Sequence, residues 1–195
     1  MITIPADKDT SAAAASGDLP VWNLADLYPG RESKELIRDL DKVEADAKRF
    51  RDTYAGAIAD LNGDGLAEAI AAYAAMSETL GRIMSFAYLE YAGNVSDAAT
   101  GRFFQSMQER VNTITAQLIF FTLEINQIEE KTLDGRMTES AKLARYAPWL
   151  RDTRAFRDHQ LSDEMERLLH EKEVAGAAAW NRLFDETIAG LRFDV

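Results

Sequence analysis

The two histidines are the side chains of this chain best suited to bind a metal ion, but their spacing argues against such a site. A zinc hydrolase helix carries two histidines four residues apart with a glutamate between them, so that both rings face one ion. His159 and His170 are eleven residues apart, and no histidine follows Glu171 at the required distance. A di-iron bundle needs paired Glu-x-x-His motifs, whereas Phe156 and Arg167 precede the histidines by three residues. We therefore expect both histidines to be structural or surface residues.

Other arrangements that could support chemistry are also incomplete. The segment 62–65 reads Asn-Gly-Asp-Gly, which is similar to the start of a calcium loop, but the later oxygen ligands are missing at the required spacing. A connecting turn is the better interpretation. The chain has no G-x-S-x-G motif, phosphate-binding loop or dinucleotide fingerprint. We expect no catalytic, cofactor-binding or metal-binding residue in this chain.

A cluster of arginines has two interpretations. Arg151, Arg154 and Arg157 lie close in sequence to Asp152 and Asp158. The arginines could clamp an anion or a carboxylate. Alternatively, the cluster is an ion-pair network that ties a short turn to the final helix, and we favour this interpretation.

The charge and the composition exclude several classes of function. The chain has 195 residues with 22 Lys and Arg against 33 Asp and Glu, a net charge of −11. Binding to nucleic acid or to an anionic membrane requires a basic surface, so both are excluded. The absence of cysteine excludes thiol chemistry and fits the reducing cytoplasm, where we expect the protein. No apolar run approaches the roughly 20 residues of a membrane span, and the N-terminus does not resemble a signal peptide.

Apolar residues recur alternately three and four positions apart in three long segments, which predicts three long helices. These helices span about 32–54, 66–91 and 97–130, and the third would be roughly 50 Å long at 1.5 Å per residue. The positions of the three seams, all apolar except Ser77, are, in order, Leu36, Leu40, Val43, Ala47, Phe50 and Tyr54; Leu66, Ile70, Tyr73, Ser77, Leu80, Met84, Ala87 and Tyr91; and Phe104, Met107, Val111, Ile114, Leu118, Phe121, Ile125 and Ile128. Short connections predict an elongated antiparallel bundle of the all-α class.

The two ends of the chain have different patterns. Residues 1–18 are small, polar and aperiodic, which predicts a flexible tail before a helical lobe over 19–195. The stretch 19–28 is expected to lie extended on that lobe. Thr138 is predicted to cap a helix that ends before Pro148, and Ser162 to begin a final long helix that ends near Gly190. Its apolar anchors are Met165, Leu168, Leu169, Trp180, Leu183, Phe184 and Ile188. Residues 191–195 alternate apolar and polar side chains, which predicts the start of a β-strand.

Several stretches match a family pattern in addition to these periodicities. The segment 21–30 reads Val-Trp-Asn-Leu-Ala-Asp-Leu-Tyr-Pro-Gly, and 121–125 reads Phe-Thr-Leu-Glu-Ile. The later motif residues are Trp149, Leu150, Arg154, Phe156, the run 159–169, Gly176, Trp180 and the run 183–186. In this order they resemble the N-terminal region of the oligoendopeptidase F family. Members of this family are thimet-like zinc metallopeptidases that cleave short peptides.

The resemblance implies a part of an enzyme without its catalytic residues. In that family the zinc site is a His-Glu-x-x-His helix with a later glutamate ligand, and it lies beyond the region matched here. No residue of this chain corresponds to a family zinc ligand or catalytic base. The zinc would therefore belong to a C-terminal catalytic domain, and the matched region would form one wall of the substrate channel.

Two functional hypotheses follow. In the first, the chain is the N-terminal lobe of an oligoendopeptidase F-type enzyme, inactive alone, with oligopeptide substrates and the catalytic domain as partners. In the second, it is a free-standing helical module for protein interaction. In either case we expect an exposed apolar face, which would permit self-association of the lobe on its own.

Overall fold

The structure, a computed structural model, describes residues 22–192. All the regular elements in this range are helical, which confirms the all-α fold class. The predicted tail at 1–18 lies outside the described residues. The α-helices are α1 (Lys34–Tyr54), α2 (Gly63–Gly93), α3 (Ala98–Thr115), α4 (Ile119–Gln127), α5 (Glu130–Glu139), α6 (Ala141–Ala144), α7 (Ala147–Arg154), α8 (Asp163–Lys172) and α9 (Ala177–Gly190). Short 3₁₀ turns lie at Ile58–Asp60, Arg157–His159 and Glu173–Ala175.

Polar side chains fix where the main helices begin. The Ser33 hydroxyl accepts a hydrogen bond from the backbone N–H of Leu36, so α1 begins at Lys34. Asp97 caps α3 in the same way. Ser162 caps α8, as predicted. These caps satisfy backbone donors that have no partner within the helix.

The first two helices pack antiparallel. Asp39, near the start of α1, pairs with Arg82, near the end of α2. At the other end of the pair, the rings of Phe50 and Tyr73 are 6.4 Å apart. The α1 positions Leu36, Leu40, Val43, Ala47 and Phe50 are all buried. The apolar seam of α1 is therefore the face that packs on α2.

The third segment returns antiparallel along the other side of α2. Tyr91, at the end of α2, stacks on Phe104 of α3 with ring centroids 4.9 Å apart. Tyr73, near the start of α2, lies 5.0 Å from Phe121 of α4. Because α2 contacts α1 on one side and α3 on the other, its buried residues occupy more than one face of the helix.

An aromatic cluster joins four helices at one end of the bundle. Phe50, Tyr73, Phe120, Phe121 and Trp149 contribute rings from α1, α2, α4 and α7 with neighbouring centroids 5.0–6.4 Å apart. Phe121 is fully buried. These distances are typical of favourable tilted and edge-to-face contacts. The phenylalanine pair at 120–121 is therefore part of the core.

The predicted third helix is wrong in one respect, because the chain breaks at 116–118 between α3 and α4. The hydroxyl of Thr115 bonds back to the carbonyl oxygens of Val111 and Asn112. The N–H of Leu118 then donates to Thr115 three residues earlier, which tightens the turn. Threonines that bond to preceding carbonyls and β-branched side chains weaken a regular helix here. The apolar period continues through the break, so periodicity alone did not reveal it.

The prediction for the region after residue 130 is also wrong. Thr138 lies inside α5, and Ser140 is the residue that caps the next helix, α6. Pro148 lies in the first turn of α7 instead of ending a helix, because a proline is tolerated where its missing N–H has no helical partner. The residues around Ser140 pack so closely on α2 that a Cβ at Gly63 would lie 2.7 Å from the Arg136 carbonyl oxygen.

The final helix is divided in two. A 3₁₀ turn at Glu173–Ala175 and a non-helical Gly176 separate α8 from α9. A Cβ on Gly176 would lie 3.1 Å from the carbonyl oxygen of Lys172, so the turn itself leaves little room for a side chain. Gly190 ends α9 as predicted. Of the predicted strand at 191–195, residues 193–195 lie outside the described range, and 191–192 carry no regular structure.

The segment before α1 is a turn, whereas it was predicted to be extended. The N–H of Tyr28 donates to the carbonyl oxygen of Leu24, and the Tyr28 side chain is buried. Its hydroxyl donates to Asp39 at 3.1 Å and accepts from Arg82 Nε at 3.1 Å, while Arg82 also pairs directly with Asp39. This network joins the N-terminal turn, α1 and α2.

The buried Asp39 should contribute to stability in a pH-dependent way. Burial by itself raises its pKa, but hydrogen bonds from Arg38 and Tyr28 and the charges of Arg38 and Arg82 outweigh burial, so the pKa is lowered. A lowered pKa stabilises the fold above the unfolded-state pKa, and this contribution is lost as the pH falls through the folded value. We expect Asp39→Asn to reduce the free energy of unfolding by about 2 kcal/mol at pH 7 and by much less near pH 3.

Chemical denaturation at both pH values measures this difference. The matched control is Asp41→Asn, because Asp41 pairs with Arg110 on an exposed surface, where a loss of at most about 0.5 kcal/mol is expected. Equal losses for the two variants at pH 7 would contradict the role of the network.

Candidate interaction surface

The histidines do not form a metal site in the structure. His170 lies at the end of α8, where its Nε2 is 2.7 Å from the hydroxyl of Thr115 and its carbonyl oxygen accepts a hydrogen bond from the Asn112 side chain at 2.8 Å. His159 is exposed. No three Asp, Glu or His side chains between residues 22 and 192 are arranged to hold a metal ion. His170 instead connects α8 to the end of α3.

The segment that is similar to a calcium loop begins a helix. The Asn62 side chain accepts a hydrogen bond from the N–H of Gly65 at 2.8 Å and so caps α2. The carboxylate of Asp64 accepts a hydrogen bond from Ser140 and lies 3.3 Å from Lys142 Nζ. These oxygens are engaged with the protein itself, but the interpretation as a connecting turn is wrong, because Gly63, Asp64 and Gly65 form the first turn of α2.

The arginine cluster contains one structural residue. Arg154 keeps only 7% of its side chain exposed. It donates to the carbonyl oxygens of Ile125 at 2.6 Å and Ile128 at 2.8 Å, and it pairs with Glu130 at 2.9 Å. A cation at the end of a helix satisfies free carbonyl groups and the helix dipole. Arg154 thus ties α7 to the end of α4, which gives this residue a structural role. The ion pairs predicted to connect the cluster to the final helix are not formed among residues 22–192.

Substitution of Arg154 should destabilise the fold. Arg154→Met removes the donor to the Ile128 carbonyl oxygen, the second donor to the Ile125 carbonyl oxygen and the partner of Glu130, so we expect a loss of about 2–3 kcal/mol in the free energy of unfolding. Arg151→Met is the control, because Arg151 is exposed and pairs with its neighbour Asp152, and we expect a change within about 0.5 kcal/mol. Urea denaturation of both variants measures the difference. A loss of less than 1 kcal/mol for Arg154→Met would show that the capping interaction is dispensable.

The most unusual surface of the protein is a row of exposed apolar side chains along α8 and α9. Neither helix contains a fully buried residue. We call this row the C-terminal apolar stripe. It consists of Leu161, Met165, Leu168, Leu169, Trp180, Leu183, Phe184, Ile188 and Leu191.

In α9 the apolar face points away from the body of the protein. Trp180 is 71% exposed and Phe184 is 65% exposed. Four residues of α9 are half-buried, and three of them, Ala178, Arg182 and Ala189, lie on the side opposite the apolar face, while Ala179 lies between the two sides. A surface helix of a folded domain normally buries its apolar face and exposes its polar one. In α9 this arrangement is inverted.

The same inversion occurs in α8. Met165, Leu168 and Leu169 are exposed, whereas Glu166 and His170 are half-buried towards the body. The carboxylate of Asp163, at the start of α8, lies 3.5 Å from the side-chain nitrogen of Gln127 in α4. His170, at the end of α8, contacts Thr115 at the end of α3. Because α9 then continues beside the first half of α3, the two helices lie one after the other along α4 and α3.

The stripe is larger than the apolar patches that most monomers expose. Its nine side chains expose on the order of 900 Å² at the areas usual for aromatic and aliphatic residues. The largest patch on a typical monomer is about 300–600 Å², and larger ones mark interaction sites. One partner in a standard protein interface contributes about 800 Å². The stripe is therefore large enough to be one side of a stable interface.

Comparison with known proteins connects this surface to a family. Residues 124–193 match the family model described as Oligopeptidase F, in its N-terminal region. The match covers 70 of the 195 residues, and over these residues it confirms the resemblance to the oligoendopeptidase F family. These residues, which we call the oligopeptidase F segment, run from α4 through α9 and contain the whole stripe. The family model describes the N-terminal region of a peptidase. No curated protein and no solved structure matches the chain.

Sequence reasoning found these side chains but assigned some of them the wrong environment. The seven residues predicted to anchor the final helix are all stripe residues, and they lie on the exposed side of α8 and α9. An exposed apolar face was expected, but its location was not. The sequence carries a signal for this exposure on the inner side of α8 and α9. Glu166, His170 and Arg182 are polar at positions where an ordinary surface helix would be apolar.

No helix among residues 22–192 is both long and apolar enough to cross a membrane.

The stripe should bind a hydrophobic dye. Because the exposed side chains are contiguous along two helices, we expect the fluorescence of 8-anilinonaphthalene-1-sulfonate to increase on addition of the folded protein. Phe184→Asp should reduce this increase by at least half without lowering the free energy of unfolding. Ile37→Asp, on an exposed apolar position of α1 outside the stripe, is the control and should leave the fluorescence unchanged. Equal fluorescence for all three proteins would contradict the assignment.

Proposed function

We propose that this protein is the N-terminal helical lobe of an oligoendopeptidase F-type zinc metallopeptidase that hydrolyses short peptides. In this proposal the C-terminal apolar stripe packs against the catalytic domain, and the bundle forms a wall of the substrate channel. The observation that carries the proposal is the inverted orientation of α8 and α9 inside the oligopeptidase F segment.

The physical argument begins with the cost of the exposed stripe. Leaving large apolar side chains in water forgoes about 25 cal/mol for each Å² that could be buried. Surface helices of soluble domains avoid this free-energy cost by packing their apolar face against the core. An outward apolar face over two consecutive helices is therefore expected where another domain covers it. The small and polar residues that face α3 and α4 then only hold α8 and α9 in position.

The lobe has a positioning role in this proposal. Residues 22–192 offer no group of side chains that fits a zinc ion, so the metal and the catalytic base belong to the catalytic domain. The lobe would shape the cleft and limit the length of peptide that enters it. The cysteine-free composition fits the cytoplasm, where we place this activity.

A peptidase assay tests the proposal. The 195-residue chain with zinc should not cleave a quenched fluorescent peptide above the rate in buffer. A chain extended at the C-terminus through a His-Glu-x-x-His helix should cleave it in a zinc-dependent manner. In the extended chain, Phe184→Asp should lower kcat/KM at least tenfold because the two domains no longer pack correctly, whereas Ile37→Asp should not.

Two results would contradict parts of this proposal separately. Zinc-dependent cleavage by the 195-residue chain would refute the view that the lobe is inactive alone. Full activity of the extended Phe184→Asp enzyme, with an intact fold, would refute packing through the stripe.

The alternative function is a free-standing interaction module. The exposed stripe is also compatible with this hypothesis, since apolar helix faces can bind partner helices. The match to the oligopeptidase F segment favours the peptidase lobe. If the reading frame that encodes this protein has a natural stop codon after Val195, the interaction module becomes the better explanation.

A further inference from the structure

We infer that two copies of the 195-residue chain pair antiparallel through the C-terminal apolar stripe, with α8 of each copy against α9 of the other. This inference concerns the chain on its own and does not rest on the proposed function. The partner that covers the stripe is a second copy of the same protein.

The first observation is the size of the stripe. It exposes on the order of 900 Å², close to the roughly 800 Å² that each partner contributes to a stable protein interface. The pairing therefore needs no further surface from the rest of the bundle. Asp163 and His170 of α8 already contact α4 and α3, and Arg182 of α9 lies beside the start of α3, so these polar residues remain in place when a partner binds.

The second observation is the symmetry of the stripe about Val174, in the turn between the two helices. Leu168 and Trp180 lie six residues before and after it. Met165 and Phe184 lie nine before and ten after. Further out, Leu161 and Ile188 lie thirteen before and fourteen after. Six of the nine stripe residues thus form three pairs at equal or nearly equal distances from Val174.

This symmetry makes the stripe complementary to itself. A two-fold dimer uses the same patch on both copies, so a contact between two different residues occurs twice, once on each side of the axis. An antiparallel pairing centred on Val174 places Met165 of one copy opposite Phe184 of the other. It also places the Leu168 side chain opposite Trp180. The aromatic rings of α9 therefore meet the flexible aliphatic side chains of α8, which fills space better than ring against ring.

Net charge sets the conditions for the pairing. Each copy carries a charge of −11, so two copies repel each other at long range. Salt screens this repulsion, with a screening length of about 8 Å at 0.15 M. The apolar contact itself is not weakened by moderate salt. Dimerisation should therefore become stronger, not weaker, as the sodium chloride concentration rises from 20 to about 300 mM.

Sedimentation velocity tests whether the dimer forms. At about 50 µM protein and 0.15 M salt, we expect the wild-type chain to sediment as a dimer. Phe184→Asp should be monomeric, and Ile37→Asp should remain dimeric. A wild-type chain that stays monomeric at this concentration overturns the inference, as does a Phe184→Asp variant that still dimerises. Light scattering on the same samples separates a dimer from open-ended aggregates, which would also overturn it.

Disulfide trapping tests the antiparallel arrangement, and the absence of native cysteine makes the result unambiguous. Leu161→Cys and Ile188→Cys place single thiols at opposite ends of the stripe. A disulfide requires Cα atoms about 4.4–6.8 Å apart. A mixture of the two variants under mild oxidation should give a covalent dimer, and each variant alone should give several-fold less. Efficient linkage of Ile188→Cys to itself would show α9 against α9 and overturn the proposed pairing.

Discussion

The central position of α2 is the constraint on which the rest of the fold depends. This helix contacts α1 on one side and α3 on the other, so it must present apolar side chains on more than one face. The start of the helix also supports α5 and α6, where a close approach at Gly63 leaves no room for a side chain. Most of the core is therefore organised around one helix, and the remaining helices each need only one apolar face.

The break between α3 and α4 determines where the C-terminal helices lie. Thr115, which tightens the end of α3, is also the residue whose hydroxyl contacts His170 of α8. Arg154 fixes the far end of α4 through two backbone carbonyl groups. The line formed by α3 and α4 is thus held at both its bend and its end. The helices α8 and α9 follow this line with polar and small residues towards it, and their large apolar residues are left outside.

The extent to which the sequence predicted this structure depends on the kind of information required. The all-α class and the starts of α3 and α8 were predictable, because local periodicity and capping residues act over a few positions. The break after Thr115 was not, since the apolar period continues through it. The position of Pro148 was ambiguous, because a proline both ends helices and begins them. The exposed environment of Trp180 and Phe184 was misjudged for a different reason.

An apolar period identifies a face of a helix but not what that face contacts. The same pattern on α1 and on α9 describes a buried face in the first and an exposed face in the second. The difference lies in the residues of the opposite side. On α9 these are alanines and an arginine, Arg182, all half-buried. A helix whose polar side is already occupied has its apolar side available, so it must either remain exposed or meet another protein surface. The stripe is therefore best understood as half of an interface, whichever partner completes it.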